Sequence, residues 1–325
     1  MKDFWFNLKK PFSVLAPMED VTDIAFRQVV YKAGRPDVFF TEFTNVEGLK
    51  SKNGYKAVSK RLKFEKKEKP IIAQIWGLTP QNYYEATKDI IKRGFDGVDI
   101  NMGCPIKSVI KKGACSALIN NHKLASQIIK AVKDASKNKI SVSVKTRIGF
   151  NKDQTVEWVP FLLKHNISAL TLHARTVKEL SKVPAKWESI KKAVEIRNSL
   201  KVKTVIIGNG DIDSTEKIKT YAKKYKCEGI MVGRGIFKNL FIFNKNKNFD
   251  DLNIYEKLEF LEYHLKLYLK YKGNKAPIYP IRKYFKIYIK GFKQASSIRQ
   301  NLMQINDYNK LHNKIRILKK QYEQK

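Results

Sequence analysis

The chain has 325 residues, of which 43% are hydrophobic, enough for a sizeable core and too many for a disordered chain. No apolar run reaches the roughly 20 residues that cross a bilayer, so no membrane span is expected. Lys plus Arg number 65 against 30 Asp plus Glu, a net charge of +35. Such a surface favours a polyanionic partner through counterion release, nucleic acid first, with a merely solvated lysine surface as the plain alternative.

The N-terminal MKDFWFNLKKPFSVLAPM lacks the apolar stretch and cleavage site of a secretion signal. Cys104, Cys115 and Cys227 form no CxxC pair, which points to a reduced, cytoplasmic protein with no disulfide framework and no zinc site. Eight apolar runs follow in order, at 12–18, 37–43, 70–77, 97–103, 140–149, 169–175, 203–210 and 229–235. Each reads as a strand buried on both faces. Helical periodicity lies between them, as at 22–34, 79–94, 122–138 and 214–226, with Gly34 and Gly94 as helix stops. Pro160 should kink or restart the helix it falls in. Eight alternations predict a (β/α)8 TIM barrel over residues 1–245. A doubly wound open sheet would show fewer strands and an early GxGxxG turn, which is absent. From Ile254 onward only helical periodicity remains, and residues 251–325 carry 17 Lys/Arg against 6 Asp/Glu. A small, basic, all-α domain is expected over 246–325.

A barrel of this type carries its site at the C-terminal ends of the strands. Those ends hold Pro17-Met18, Thr41-Glu42, Gln74, Asn101 to Pro105, Lys145 to Arg147, His173 to Arg175, Gly208 to Asp211 and Gly233 to Gly235. The glycine turns after the seventh and eighth strands suit a phosphate. Lys145 is placed to stabilise negative charge on a reduced, anionic ring, with His173 in the same mouth. Cys104, in a Gly-Cys-Pro turn, is a reagent candidate. An unperturbed thiol is mostly protonated at pH 7 and can donate a proton. Cys115 and Cys227 read as small buried hydrophobes.

These segments resemble the flavin-dependent tRNA-dihydrouridine synthases of bacterial type along essentially the whole chain. The resemblance is carried by LAPMEDVTDIAFR (15–27), QIWG (74–77), DINMGCPIKSVIKKGACSALI (99–119), VKTRIG (144–149), LHART (172–176), IIGNGDI (206–212), MVGRG (231–235) and IRKYFKIYIKG (281–291). It implies FMN at the barrel mouth, NADPH as co-substrate and tRNA as partner, in a protein expected to be monomeric. It implies that Pro17, Met18, Gln74, Lys145 and His173 line the flavin, and that Asn209, Gly210, Gly233 and Arg234 hold its phosphate end. Asn101 would position the uracil, and Cys104 would be the general acid. Arg175, Arg282, Lys283 and Arg299 fall where the family meets RNA. The implied reaction sends a hydride from flavin N5 to uridine C6 and a proton from Cys104 to C5.

Four stretches depart from the family pattern. GACSALI replaces GAGGALL, Ala185-Lys186-Trp187 replaces Ala-Asp-Trp, KNLFIF replaces GNPWIF, and Arg282-Lys283-Tyr284 replaces RKH. None removes Cys104, Lys145 or His173. An FMN barrel of dihydroorotate type would not need the basic tail, and a catalytically dead RNA-binding barrel would not need the mouth residues.

Overall fold

The computed structural model describes residues 3–273 and 276–323. Its strands are β1 (Phe12–Leu15), β2 (Phe39–Phe40), β3 (Thr44–Asn45), β4 (Ile71–Trp76), β5 (Gly97–Met102), β6 (Ser141–Arg147), β7 (Ala169–His173), β8 (Val205–Asn209) and β9 (Gly229–Val232). All pairs are parallel, in the order β1-β9-β8-β7-β6-β5-β4-β2, with β3 also on β4. A parallel bridge between Val14 and Val38 brings the sheet back to β1 and closes the barrel. Parallel neighbours need crossovers, and helices such as Pro80–Lys92, His122–Ser136 and Trp187–Ser199 supply them. The expected (β/α)8 architecture is present, followed by helices alone among the described residues after 254.

Two details differ from the sequence pattern. The second apolar run, 37–43, forms only the two-residue β2, with β3 just beyond it and Thr41 between the two. Its hydroxyl accepts the backbone N–H of Gln74 at 3.2 Å and donates to the Glu42 carbonyl at 2.7 Å. A side chain thus stands in for a ladder carbonyl. Pro160 does not restart its helix, which runs unbroken as Thr155–Leu163 with the proline inside it. The carbonyl left without an N–H is that of Val156, a residue 64% exposed, so water can satisfy it.

The barrel core is filled by Trp5, Phe12, Val14, Val38, Phe40, Ile72, Val205, Ile207 and Met231, all 0–1% exposed. Gly229 is required here, because a Cβ would fall 2.2 Å from Cε2 of Phe12.

By contacts the chain forms two compact units, and the division is not a single cut at 245. The first comprises residues 1–19, 36–212 and 216–233; the second comprises 20–35, 213–215 and 234–325. Within the second unit, helix Ile24–Ala33 packs as a member of the helical group. Its Phe26 ring stacks on Tyr284 at 4.8 Å and lies 5.6 Å from His264. Asn244 Nδ2 donates to the Ala33 carbonyl at 3.1 Å, and Lys272 pairs with Asp23 at 3.1 Å. These contacts span more than 200 residues of sequence, so chain order could not reveal them. Among the described residues no helix is long and apolar enough to cross a membrane.

Candidate active site

The parallel register sets the mouth residues side by side. Gln74 pairs with Asp99, Asp99 with Ser143, Asn101 with Lys145, Arg147 with His173, and His173 with Asn209. A polar network grows from this register. Asp99 is fully buried and accepts from Ser143 Oγ at 2.6 Å and from Gln74 Nε2 at 2.7 Å. With its amide so oriented, Gln74 presents Oε1 to Asn101 Nδ2 at 3.0 Å. Asn101 then has Oδ1 left to accept the backbone N–H groups of Gly103 and Cys104, each at 3.0 Å. The carboxylate inside β5 therefore positions the loop that carries the cysteine.

Asp99 and Lys145 shift each other's charge balance. Burial raises the Asp99 carboxyl to about 6, opposed by its hydrogen bonds from Ser143 and Gln74 and by Lys145. Burial lowers the Lys145 ammonium to about 8, with Arg147 adding to the effect and Asp99 and Cys104 opposing it. Neither Asp99 nor Arg147 carried a role in the sequence reading. An acid within an apolar strand run, GVDINMG, is the signal for Asp99. Arg147 is buried and braces three segments. Its Nε donates to Gly103 O at 2.8 Å, and its Nη1 donates to Thr176 O and Leu180 O, each at 3.1 Å.

Cys104 is 9% exposed. A hydrogen bond from Cys115 lowers its thiol from 9.0 to about 7; burial opposes this, while the Ile106 backbone and the Arg147 charge assist. The thiol is thus more acidic than the unperturbed group assumed from sequence. Cys115 is buried in the core, as expected, and its thiol is held well above the ordinary range by its neighbour Cys104 and by burial. Cys227 is buried, and burial holds its thiol at about 12.

On the opposite side of the mouth, Gly210 adopts φ +132, and a Cβ there would lie 2.8 Å from Ala185 Cβ and 3.6 Å from His173 Cδ2. The turn is clamped from two sides. Trp187 Nε1 donates to Gly210 O at 3.0 Å, and Gly208 leaves room for the same indole, 2.3 Å from where a Cβ would stand. Asp211 accepts Arg175 Nη2 through both oxygens, at 2.7 and 2.6 Å, and Ala185 N at 2.8 Å. Arg175, read from sequence as an RNA contact, is 3% exposed and is committed to this clamp. Lys186, where the pattern has an acid, pairs with Glu179. Asn209 Nδ2 donates to Met231 O at 2.8 Å. Around Gly233 a Cβ would have only Ala16 Cβ and Met18 Sδ near it, both at 3.8 Å. Pro17 is buried and Met18 half-buried.

The remaining candidates lie in the second unit. Arg234 is exposed and precedes the short helix Gly235–Lys238. Arg282 is half-buried and donates to Ile305 O at 3.2 Å, and Arg299 donates to Ile289 O at 2.6 Å, so both guanidinium groups tie off loop carbonyls. Lys283 is exposed and reaches Asp20 O. The sequence reading named Lys283 but not its neighbours Lys238, Lys286 and Lys290. Lys238, Lys283, Lys286 and Lys290, with Phe237 and Ile287, line a depression of about 380 Å³ within this unit.

A closed parallel barrel with an acidic thiol, a buried carboxylate that influences a half-buried lysine, and glycine turns at the strand ends defines a (β/α)8-barrel protein with an enzyme-like mouth. Residues 14–323 match the family model described as "Dihydrouridine synthase (Dus)". Curated relatives include a "Probable tRNA-dihydrouridine synthase" of Staphylococcus aureus, 42% identical over 304 residues, 93% of this chain and 91% of that one. Another is "Probable tRNA-dihydrouridine synthase 2" of Bacillus subtilis, 43% identical over 93% of this chain and 92% of that one. The chain belongs to the dihydrouridine synthase family. Among solved structures, histamine dehydrogenase from Rhizobium sp. 4-9 superposes with a TM-score of 0.54 at 12% identity, covering 79% of this chain and 49% of that one, which shows a shared fold.

Proposed function

We propose that this chain is a flavin-dependent tRNA-dihydrouridine synthase that reduces the C5–C6 double bond of uridine in tRNA. The observation that carries the reading is Cys104, an acidic thiol fixed by Asn101 beside Lys145 at the barrel mouth. Family membership and the near-complete coverage of its curated relatives support it.

The residues present fit FMN. Gln74, Lys145 and His173 offer an amide, an ammonium and an imidazole to a polar ring edge, with Pro17 and Met18 as apolar neighbours. Asn209, Gly210 and Gly233 suit an anionic end. Arg175 Nη1 is buried without a partner, an N–H available to an anion beside the Gly210 turn. When bound, FMN supplies the hydride that NADPH loads and that uridine C6 receives. Lys145 stabilises negative charge at the mouth, Asn101 holds both the cysteine loop and the uracil edge, and Cys104 delivers its proton to C5. A uridine must leave its stack to reach a barrel mouth.

The second unit supplies the RNA surface through Lys238, Lys283, Lys286 and Lys290. Protein given NADPH and unmodified tRNA should produce a nucleoside heavier by two hydrogens, and free uridine should stay unchanged. Conversion of free uridine at a comparable rate would point instead to a small-molecule reductase.

A further inference from the structure

From Met102 O to Cys104 O, side chains hold every polar group of the backbone that leads to the thiol. Thr146 Oγ1 donates to Met102 O at 3.0 Å, and Asn101 Oδ1 accepts from Gly103 N and Cys104 N at 3.0 Å each. Ser116 Oγ donates to Cys104 O at 2.8 Å. Gly103 O, the carbonyl just before the cysteine, accepts from Arg147 Nε at 2.8 Å.

Arg147 differs from the other holders in two ways. It carries a charge, and it reaches a second loop. Its Nη1 donates to Thr176 O and Leu180 O at 3.1 Å each, in the turn after β7. That turn is firmly tied. Thr176 N donates to Glu179 Oε2 at 2.8 Å, Glu179 N donates to Thr176 Oγ1 at 3.2 Å, and Val177 N and Lys178 N donate to Gly149 O and Phe150 O at 3.0 Å. Leu180 stands at φ +53, a strained conformation for a bulky residue. Its side chain stays 38% exposed, so burial does little to offset the strain. What the conformation gains is backbone hydrogen bonding, from Leu180 N to Val177 O at 3.2 Å and from Arg147 to Leu180 O.

We propose that Arg147 is a positioning residue for proton delivery, its planar fork locking the Cys104 loop to the turn after β7 and so fixing the thiol at the mouth. The effect on turnover rests on the reading of Cys104 as proton donor. The effect on the thiol itself does not.

Charge and geometry can be separated. The groups acting on the Cys104 thiol are Cys115, which lowers it most, burial, which opposes, the Ile106 backbone and Arg147, which lower it further, and Glu19, which raises it. Lys145 also interacts with it. Arg147→Lys keeps a cation and loses the fork, whereas Arg147→Gln loses both. The thiol should therefore still titrate at about 7 in Arg147→Lys and higher in Arg147→Gln.

The test uses full-length protein loaded with FMN. It follows the pH dependence of Cys104 alkylation by iodoacetamide, flavin reduction by NADPH, and dihydrouridine formation across tRNA concentrations. Cys104 is 9% exposed, so releasing its loop should raise the alkylation rate at the alkaline plateau in both variants. Turnover at saturating tRNA should fall by up to about 100-fold, the cost of a roughly 1 Å misplacement, with KM for tRNA and flavin reduction unchanged. Should Arg147→Gln fail to fold, Arg147→Lys carries the test alone. An unchanged plateau rate in Arg147→Lys would overturn the brace, whatever the reaction. Flavin reduction lost in step with turnover would make Arg147 a support of the whole mouth and overturn the specific role. A raised plateau with full turnover would leave the brace standing and overturn proton delivery by Cys104, and with it the role of Arg147.

Discussion

Asn101 Nδ2 donates to Gln74 Oε1 at 3.0 Å, and this contact decides which way both amides face. Gln74 must turn its Nε2 to Asp99, and Asn101 must turn its Oδ1 to the Cys104 backbone. The cysteine loop is therefore placed by a chain of hydrogen bonds rooted in one buried carboxylate.

Replacing Asp99 with Leu should break that chain. Gln74 Nε2 and Ser143 Oγ lose their common acceptor while buried, a cost of about 1–3 kcal/mol per unsatisfied group. Asp99→Asn keeps an acceptor but removes the charge that supports the Lys145 ammonium, so the lysine should titrate lower still. Thermal unfolding should report the first effect. Lysine titration followed by NMR should report the second.

The Cys104 thiol must carry its proton to act as an acid. The Cys115 hydrogen bond is the main influence lowering it to about 7, with the Ile106 backbone and Arg147 assisting and burial and Glu19 opposing. The protonated form dominates below that value, so turnover at saturating tRNA should fall as pH rises through about 7. Cys115→Gly removes the leading cause, and the alkaline limb should move to higher pH. A limb that stays in place would detach Cys115 from the acid.

The basic depression of the second unit predicts a steep salt dependence of tRNA binding. Lys238→Gln and Lys286→Gln should each flatten the log-affinity against log-salt slope by about 1, the share of one phosphate contact. Unchanged slopes would place the RNA surface elsewhere.

Glu262, on helix Ile254–Lys272, joins it to helix Tyr308–Glu323. It pairs with Lys319 at 2.8 Å and His312 at 3.0 Å, and with Lys266 on its own helix at 2.8 Å. These partners outweigh burial and bring its carboxyl from 4.5 down to about 2. A depressed carboxylate stabilises the fold above its unfolded pKa, and the contribution is lost as pH falls from about 4.5 to about 2. Glu262→Gln should cost about 1 kcal/mol at neutral pH, solvent screening holding partly exposed ion pairs to that scale, and show a smaller loss across that acid window. Unfolding curves at several pH values check the sign.

The barrel was legible because strands buried on both faces read as apolar runs, and because polar residues cluster where each run ends. Cys104, Lys145 and His173 stood out for that reason. Side-chain roles set by tertiary partners did not. Thr41 follows a two-residue strand and accepts an N–H from Gln74, Arg175 turns inward to Asp211, and Ser116 ties its turn to the Cys104 carbonyl. Helix Ile24–Ala33 joins the second unit through rings that lie more than 200 residues away in the chain. Local sequence carries no mark of such contacts.

The central claim is that Cys104 gives the proton that completes uridine reduction. The direct measurement is position-resolved dihydrouridine in unmodified tRNA after reaction with NADPH, for wild type and Cys104→Ala side by side, with flavin reduction by NADPH followed separately. The account predicts product from wild type, about 100-fold or more less from the variant, and equal flavin reduction in both. Equal product from the two proteins would contradict it.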